Sequence, residues 1–235
     1  MKVLKTLMFK VLLSSLSFCL DTINKKFEQE FLISIPNNLR QLIIDFPQNS
    51  IGTYQRGALI NTTTWERLCK TIQEQNKLKI FKINSFQTLS NNVLLSLEIQ
   101  KHSLVHIEFK NIRFNNILKV ASFKLKELSI ICNKWNAGDT SLMVKYFGTS
   151  LQRLLVEPLT INLIENISMY CPNLIYLKLG IYSCTNLSVL AYFKNLKTKM
   201  LSITIFHDID KFFINLANNI PINVSKISIC IRPFK

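Results

Sequence analysis

The residues of this chain that could perform chemistry are few and widely spaced. His102 and His106 lie four positions apart, a spacing that would place two imidazoles on one face of a helix, where they could bind a metal ion. His106, however, falls inside a predicted strand, so that helical geometry is not expected. His207 lies far along the chain. We therefore expect no metal site.

Three common motifs for nucleotide and metal chemistry are missing from the sequence. None of G-x-x-x-x-G-K-[ST], G-x-G-x-x-G and H-E-x-x-H occurs in the 235 residues. Asp208 and Asp210 stand at a predicted helix start, where acids more often cap the helix and interact with its dipole. We therefore expect no enzymatic activity, no catalytic residue and no cofactor.

The cysteines are spread along the chain and form no C-x-x-C pair. An even count permits a disulfide framework. Their apolar or cap-like contexts favour buried free thiols in a reducing compartment instead. The six residues are Cys19, Cys69, Cys132, Cys171, Cys184 and Cys230.

The N-terminal segment partly matches a secretion signal. Met1 to Leu20 begins basic and becomes apolar, as a signal peptide does. Lys10 interrupts the apolar run, and no clear small-x-small cleavage site precedes Asp21. We expect a cytoplasmic or nuclear protein, with secretion as the alternative. No apolar run reaches the roughly 20 residues that a membrane-spanning helix needs.

Composition and charge indicate a globular protein with a protein partner. The chain is 48% hydrophobic and 18% charged, which is typical of a folded domain rather than of disorder. The net charge of +15 could attract nucleic acid or anionic lipid. The excess is mainly lysine, scattered singly or in short pairs, whereas specific phosphate and base recognition relies on arginine. The sequence therefore favours a protein partner over nucleic acid.

The pattern L-x-x-L-x-L recurs along the chain and predicts strands. In Leu174-x-x-Leu177-x-Leu179 the last two leucines face one side of a strand, and Tyr176 and Lys178 face the other. From residue 78 onward the first position recurs about every 24 residues, within the range of leucine-rich repeats. Matching segments begin at Leu4, Leu39, Leu78, Leu104, Leu125, Leu151, Met200 and Val224.

Apolar positions between these strands predict helices. Trp65, Leu68, Cys69 and Ile72 share one helical face after the capping-box pattern Thr63-x-x-Glu66. Further helices are expected around residues 93–97, 142–147, 163–167, 187–193 and 212–216.

The alternation of strand and helix predicts an α/β leucine-rich-repeat solenoid. We expect a horseshoe arc with a parallel sheet on the concave face and helices on the convex face. Residues 1–60 should form irregular N-terminal repeats or a cap, continuous as one domain with the solenoid at 61–235. A doubly wound α/β domain would need longer units and a Gly-rich turn after a strand.

Three segments resemble a known family. Cys171-Pro172-Asn173-Leu174, followed by x-x-L-x-L, resembles the cysteine-containing leucine-rich repeats of F-box proteins, and residues 148–154 resemble the same repeat opening. Residues 68–78 are similar to a segment of lineage-expanded fungal F-box-like families. The resemblance covers residues 60–230. It implies a substrate-recognition solenoid of a cullin ubiquitin ligase, linked through an F-box to a Skp-type adaptor.

The F-box itself is not evident. Ile35-Pro36-Asn37-Asn38-Leu39 faintly resembles the Leu-Pro segment that opens an F-box, but Leu39, Leu42 and Ile44 fit a repeat strand. An adaptor contact is therefore expected only if an F-box lies outside this chain. The alternative is an adaptor-free or secreted binding protein with no ligase link.

The predicted binding surface is the strand face opposite the leucines. Solenoids commonly bind a protein partner on this face, and arginine and tyrosine are favoured interface anchors. The alternative is that these side chains are merely solvated. The residues expected there are Lys82, His106, Glu108, Lys110, Glu127, Arg153, Glu157, Tyr176 and Lys178.

Overall fold

The computed structural model of the protein describes most of the chain. The described residues are 14–19, 31–32, 34–46, 62–85, 89, 91–112, 123–131, 137–182, 187–206 and 209–231, with backbone alone for 137–139, 206 and 209–211. They belong to two compact units, Met1–Phe123 and Lys124–Lys235, which are described in turn. The predicted single domain, with its boundary near residue 60, stays a prediction.

The first unit contains parallel strands and helices that pack side by side. Its strands are β1 (Ser15–Cys19), β2 (Gln41–Phe46), β3 (Ile80–Ser85) and β4 (His106–Lys110), each parallel to the next. Its helices are α1 (Thr62–Gln73) and α2 (Asn91–Ile99). The rings of Phe46 on β2 and Trp65 on α1 lie 5.5 Å apart, centroid to centroid. A helix layer therefore packs on the sheet.

The first described strand, β1, was not predicted from the sequence pattern, and the strand predicted at Leu4 lies outside the described residues. Leu16 pairs with Leu42 and Phe18 pairs with Ile44, so β1 follows the same repeat pattern. The sequence signal is a second match, Leu13-x-x-Leu16-x-Phe18, which overlaps the apolar N-terminal stretch.

The second unit repeats the same alternation. Its strands are β5 (Glu127–Ile131), β6 (Arg153–Val156), β7 (Tyr176–Tyr182), β8 (Met200–Phe206) and β9 (Lys226–Ile231), again parallel in sequence order. Its helices are α3 (Ala137–Phe147), α4 (Ile161–Tyr170) and α5 (Ile209–Ala217). The predicted α/β class with parallel strands is confirmed. In the described residues no helix is long and apolar enough to span a membrane.

The helix expected around residues 187–193 is a 3-10 helix, Leu187–Asn195. The sequence analysis did not specify its type. Leu187, Leu190 and Phe193 are spaced by three, which is the period at which side chains align on a 3-10 helix rather than on an α-helix. Leu190 and Phe193 are fully buried.

A recurring hydrogen-bond pattern defines the repeat in both units. The carbonyl of Gln152 accepts hydrogen bonds from the amides of Ile175 at 2.8 Å and of Tyr176 at 3.0 Å, at the start of the next strand. Equivalent carbonyls belong to Ser14, Arg40 and Lys79 in the first unit and to Lys126, Gln152, Ile175 and Lys199 in the second. From Lys126 to Ser225, the residues at this position are 26, 23, 24 and 26 residues apart.

This pattern corrects one repeat boundary. Leu177 pairs with Leu201 and Leu179 with Ile203, so the equivalent of Leu174 is Thr198. The prediction that this repeat begins at Met200 was therefore wrong by two residues. Thr198 is fully buried, donates a hydrogen bond to the carbonyl of Ile175 at 2.9 Å, and lies 3.1 Å from that of Met200. Because its hydroxyl is satisfied, a threonine can occupy a leucine position.

Candidate partner-binding face

In each unit, the strand residues that alternate with the buried core residues lie on one side of the strands, which we name the polar strand face. In the second unit its first row runs Glu127, Arg153, Tyr176, Met200, Lys226, and its second row runs Ser129, Leu155, Lys178, Ser202, Ser228. All the predicted binding residues lie on this face, with Glu157 directly after β6. Metal clusters of three or more His, Cys, Asp or Glu are absent from the part of the chain that the structure describes.

In the first unit, an ion pair and a nearby histidine occupy this face. Lys82 and Glu108 are register partners, and their Nζ and Oε2 atoms lie 3.1 Å apart. The Nε2 atom of His106 lies 3.9 Å from the same Glu108 oxygen. Lys110 is exposed at the end of β4. The strand pairing thus brings together three of the predicted residues.

Beside this group, side-chain hydrogen bonds link the ends of three neighbouring strands. Asn84 donates to the carboxylate of Asp45, and Asn111 donates to the amide oxygen of Asn84 at 2.8 Å. Asn111 has a φ of 56°, in the left-handed region that asparagine tolerates better than most residues. These bonds fix the strand ends next to Lys110.

In the second unit, Glu127, Arg153 and Tyr176 form a contact row across three strands. The Nε atom of Arg153 lies 3.6 Å from Oε1 of Glu127, and its guanidinium carbon lies 5.3 Å from the centroid of the Tyr176 ring. The Arg153 side chain remains 60% exposed. The carboxylate and the ring therefore orient the guanidinium while leaving it accessible to a partner.

Glu157 lies on the polar strand face but is buried. Its side chain packs over Gly180, where an added Cβ would lie 2.5 Å from the Cγ atom of Glu157. The hydroxyl of Tyr182 donates to its carboxylate at 3.2 Å. Glu157 therefore joins β6 to β7, and this geometry does not present it as an exposed contact group. The sequence could not show this, because the covering contacts come from the neighbouring strand.

A groove of about 210 Å³ opens on the polar strand face of β7, β8 and β9. Its lining residues are Tyr176, Met200, Leu201, Ser202, Lys226 and Ser228. Sequence reasoning found Tyr176 and missed the others. The misplaced repeat boundary explains why Met200 was missed, because it assigned Met200 to a buried leucine position. Lys226 and Ser228 belong to the correctly placed repeat at Val224, and strand alternation alone could have found them. With Thr198 as the boundary, Met200 and Lys226 continue the row of Tyr176.

The cysteine segment that carries the family resemblance has a structural role. Cys171 is buried, and burial raises the pKa of its thiol from 9.0 to about 12. Its amide donates to the carbonyl of Ile167 at 3.0 Å and closes α4. The side chain of Asn173 donates to the carbonyl of Thr149 in the preceding repeat at 2.9 Å. The segment thus joins two repeats, and its thiol is held in the unreactive protonated form.

The other cysteines only partly fit the prediction of buried thiols. Cys69 is buried, and this burial raises its pKa. Cys19 and Cys230 are exposed, which corrects the prediction for these two residues. Each lies on a strand position whose side chain faces away from the core. Cys132 and Cys184 lie outside the described residues.

The geometry defines a parallel α/β protein with a polar strand face and an accompanying groove. Comparison of the chain with protein-family models gives no match, and comparison with curated protein sequences gives none. The family resemblance therefore rests on its motifs alone.

Proposed function

We propose that this chain is a leucine-rich-repeat solenoid that binds a protein partner through the polar strand face, which would be concave. The observation that carries the proposal is the recurring carbonyl that accepts from two consecutive amides. In the second unit it returns every 23 to 26 residues, within the repeat length of this class. The proposal assigns the chain a binding role and no catalytic step.

The contacts on the polar strand face support a protein as the partner. Arg153 is exposed but oriented by Glu127 and Tyr176, so little side-chain freedom remains to be lost on binding. Arginine and tyrosine are the residues that most often dominate protein interfaces. Both signs of charge occur on the face, with Glu108 and Glu127 beside the basic residues. This mixture suits a protein surface better than a phosphate backbone.

Within this class, we propose the substrate-recognition part of a cullin ubiquitin ligase. The support is the segment Cys171-Pro172-Asn173, which in this chain closes a helix and joins two repeats. A Skp-type adaptor would bind an F-box outside this chain. The buried thiols of Cys69 and Cys171 are consistent with a reducing compartment, the cytoplasm or nucleus. The alternative is an adaptor-free or secreted binding protein of the same architecture.

Co-purification with the Skp-type adaptor tests the ligase assignment. The chain would be expressed alone and joined to any coding sequence upstream of Met1, each with the adaptor. We expect the adaptor to be retained by the longer protein and not by the chain alone. If neither form retains the adaptor, the ligase assignment fails and the adaptor-free alternative replaces it.

A further inference from the structure

The net positive charge of the second unit lies mainly in its C-terminal part, because most of its acids lie before residue 166. Residues 166–235 contain eight lysines and arginines but only two acids, Asp208 and Asp210. Strands β7, β8 and β9 contain no acid at all. Their cations on the polar strand face are Lys178 and Lys226, and neither forms an ion pair with another described residue. Among the residues that the structure describes, this part of the face therefore carries positive charge without a paired acid.

Lys226 lines the groove, and Lys178 lies on the same strand face two residues after the groove residue Tyr176. Tyr176, Met200 and Lys226 are register partners, and Lys178 is the next residue on the same face after Tyr176. Lys178 is thus two strands and two residues away from Lys226. With about 4.8 Å between strands and about 3.3 Å per residue, their Cα atoms are about 12 Å apart.

The floor between the lysines is uncharged. Apart from Lys226, the groove is lined by Tyr176, Met200, Leu201, Ser202 and Ser228. Methionine adapts to apolar side chains of different shapes. An extended peptide places residues i, i+2 and i+4 on one side, with about 13 Å between the first and last. An acid, an apolar residue and a second acid at these positions match the spacing of Lys178, the groove and Lys226.

We propose that the groove on β7, β8 and β9 binds an extended acidic segment of a partner protein. Two carboxylates of the segment pair with Lys178 and Lys226, and the apolar side chain between them packs against Tyr176 and Met200. This inference rests on the proposed function as a protein-binding module and names the chemistry of its partner.

A labelled peptide tests this site directly. The probe is fluorescein-labelled Ser-Glu-Ser-Leu-Ser-Glu-Ser, titrated with the full chain by fluorescence anisotropy. One comparison peptide replaces both glutamates by glutamine, and another replaces the leucine by serine. We expect the wild-type chain to bind the probe and to bind each comparison peptide at least tenfold more weakly.

A charge-matched pair of variants locates the binding. Lys178→Glu with Lys226→Glu reverses the two lysines at the groove. Lys145→Glu with Lys194→Glu makes the same change in net charge on exposed positions of α3 and the 3-10 helix. We expect at least a tenfold loss for the groove pair and less than a twofold loss for the control pair. Thermal melting identifies any variant that misfolds, and Lys178→Gln with Lys226→Gln then replaces the groove pair.

Three results would overturn the inference: no binding of the probe to the wild-type chain, equal losses in the two variant pairs, or tighter binding of a single-stranded oligonucleotide of equal charge. A fourth result would also overturn it: a native partner no longer binds the Arg153→Glu, Tyr176→Ala variant but still binds the Lys178→Glu, Lys226→Glu variant. In that last case the proposed binding module would stand.

Discussion

The guanidinium carbon of Arg153 lies 5.3 Å from the centroid of the Tyr176 ring, directly across the strand pair β6 and β7. A second pair of the same kind lies on the helices of the same unit, where the Nζ atom of Lys145 is 5.5 Å from the centroid of the Tyr170 ring. The first pair is on the proposed binding face, and the second is not. Variants of the Lys145 and Tyr170 pair therefore serve as matched controls for variants of the Arg153 and Tyr176 pair.

The first prediction is that Arg153→Glu with Tyr176→Ala leaves the fold intact. The Arg153 side chain is 60% exposed, so its contacts with Glu127 and Tyr176 contribute little to stability. We expect the free energy of unfolding to fall by about 1 kcal/mol or less. Urea denaturation followed by circular dichroism measures this. If the variant no longer unfolds cooperatively, the prediction is wrong, and Arg153 and Tyr176 are needed for the stability of the fold.

The second prediction concerns the buried strand position Leu177, which is fully buried. Leu177→Asp places an unpaired charge in the core, and we expect it to remove the cooperative transition of the second unit. Lys178→Asp is the matched control, because the neighbouring side chain lies on the opposite face of β7. Thermal melting compares the two variants. An unchanged melting temperature for Leu177→Asp would contradict the repeat register.

The third prediction concerns the close contact between Gly180 and Glu157. A Cβ at position 180 would lie 2.5 Å from the Cγ atom of Glu157, so Gly180→Ala must displace that side chain from Tyr182. We expect a loss of about 1–3 kcal/mol in the free energy of unfolding, from overpacking. Glu157→Ala in the same chain should recover most of this loss, because it removes the clashing atoms.

Gly148→Ala is the control for that rescue. Its added Cβ would lie 2.5 Å from the backbone oxygen of Tyr170, which a side-chain truncation cannot move. A double-mutant cycle from urea denaturation gives the coupling between positions 180 and 157. Additive effects of Gly180→Ala and Glu157→Ala would show that the two residues do not share this contact.

The fourth prediction is an alkaline loss of stability due to Cys171. Burial raises the pKa of its thiol from 9.0 to about 12, so the unfolded chain loses this proton at lower pH than the folded chain does. The contribution of this thiol to the free energy of unfolding is fully present below pH 9. It is lost between pH 9 and 12, by about 1.4 kcal/mol per pH unit. In Cys171→Ala, this part of the decrease in the free energy of unfolding with rising pH should be absent.

The measurement is the free energy of unfolding of the wild type and the variant at pH 8, 9 and 10. We expect the wild type to lose stability relative to Cys171→Ala as the pH rises. A parallel decline in the wild type and Cys171→Ala would contradict the buried position of the Cys171 thiol.

The strand pattern could be predicted from the sequence wherever the buried positions are occupied by apolar residues. Leu174, Leu177 and Leu179 show this, and so do the repeats that begin at Leu78 and Leu151. The pattern failed at Thr198, since a threonine whose hydroxyl is hydrogen-bonded inside the core looks like a polar surface residue in the sequence. It also missed β1, because Leu13-x-x-Leu16-x-Phe18 lies within the apolar stretch before Leu20.

The candidate site was less predictable than the fold. Alternation along a strand places Arg153 and Tyr176 on the polar face, and pairing of equivalent repeat positions makes them neighbours. Alternation cannot report whether such a residue is covered, as Glu157 is by its contacts with β7. The groove beside Met200 depended on the correct repeat boundary and was therefore missed.

The central claim is that the polar strand face, and not bulk positive charge, binds the partner. The most direct test compares capture of partner proteins, from extracts of cells that express the chain, by the wild type and two double variants. One is Arg153→Glu with Tyr176→Ala. The other is Lys145→Glu with Tyr170→Ala, which makes the same type of change at the helix pair.

The affinity of the wild type and of both double variants for a captured protein is then measured by titration calorimetry. The account predicts that the Arg153 and Tyr176 variant weakens binding by about 2 kcal/mol or more, roughly 30-fold, while the Lys145 and Tyr170 variant binds like the wild type. Equal losses in the two variants, or affinity that falls steeply with salt and follows net charge alone, would contradict it.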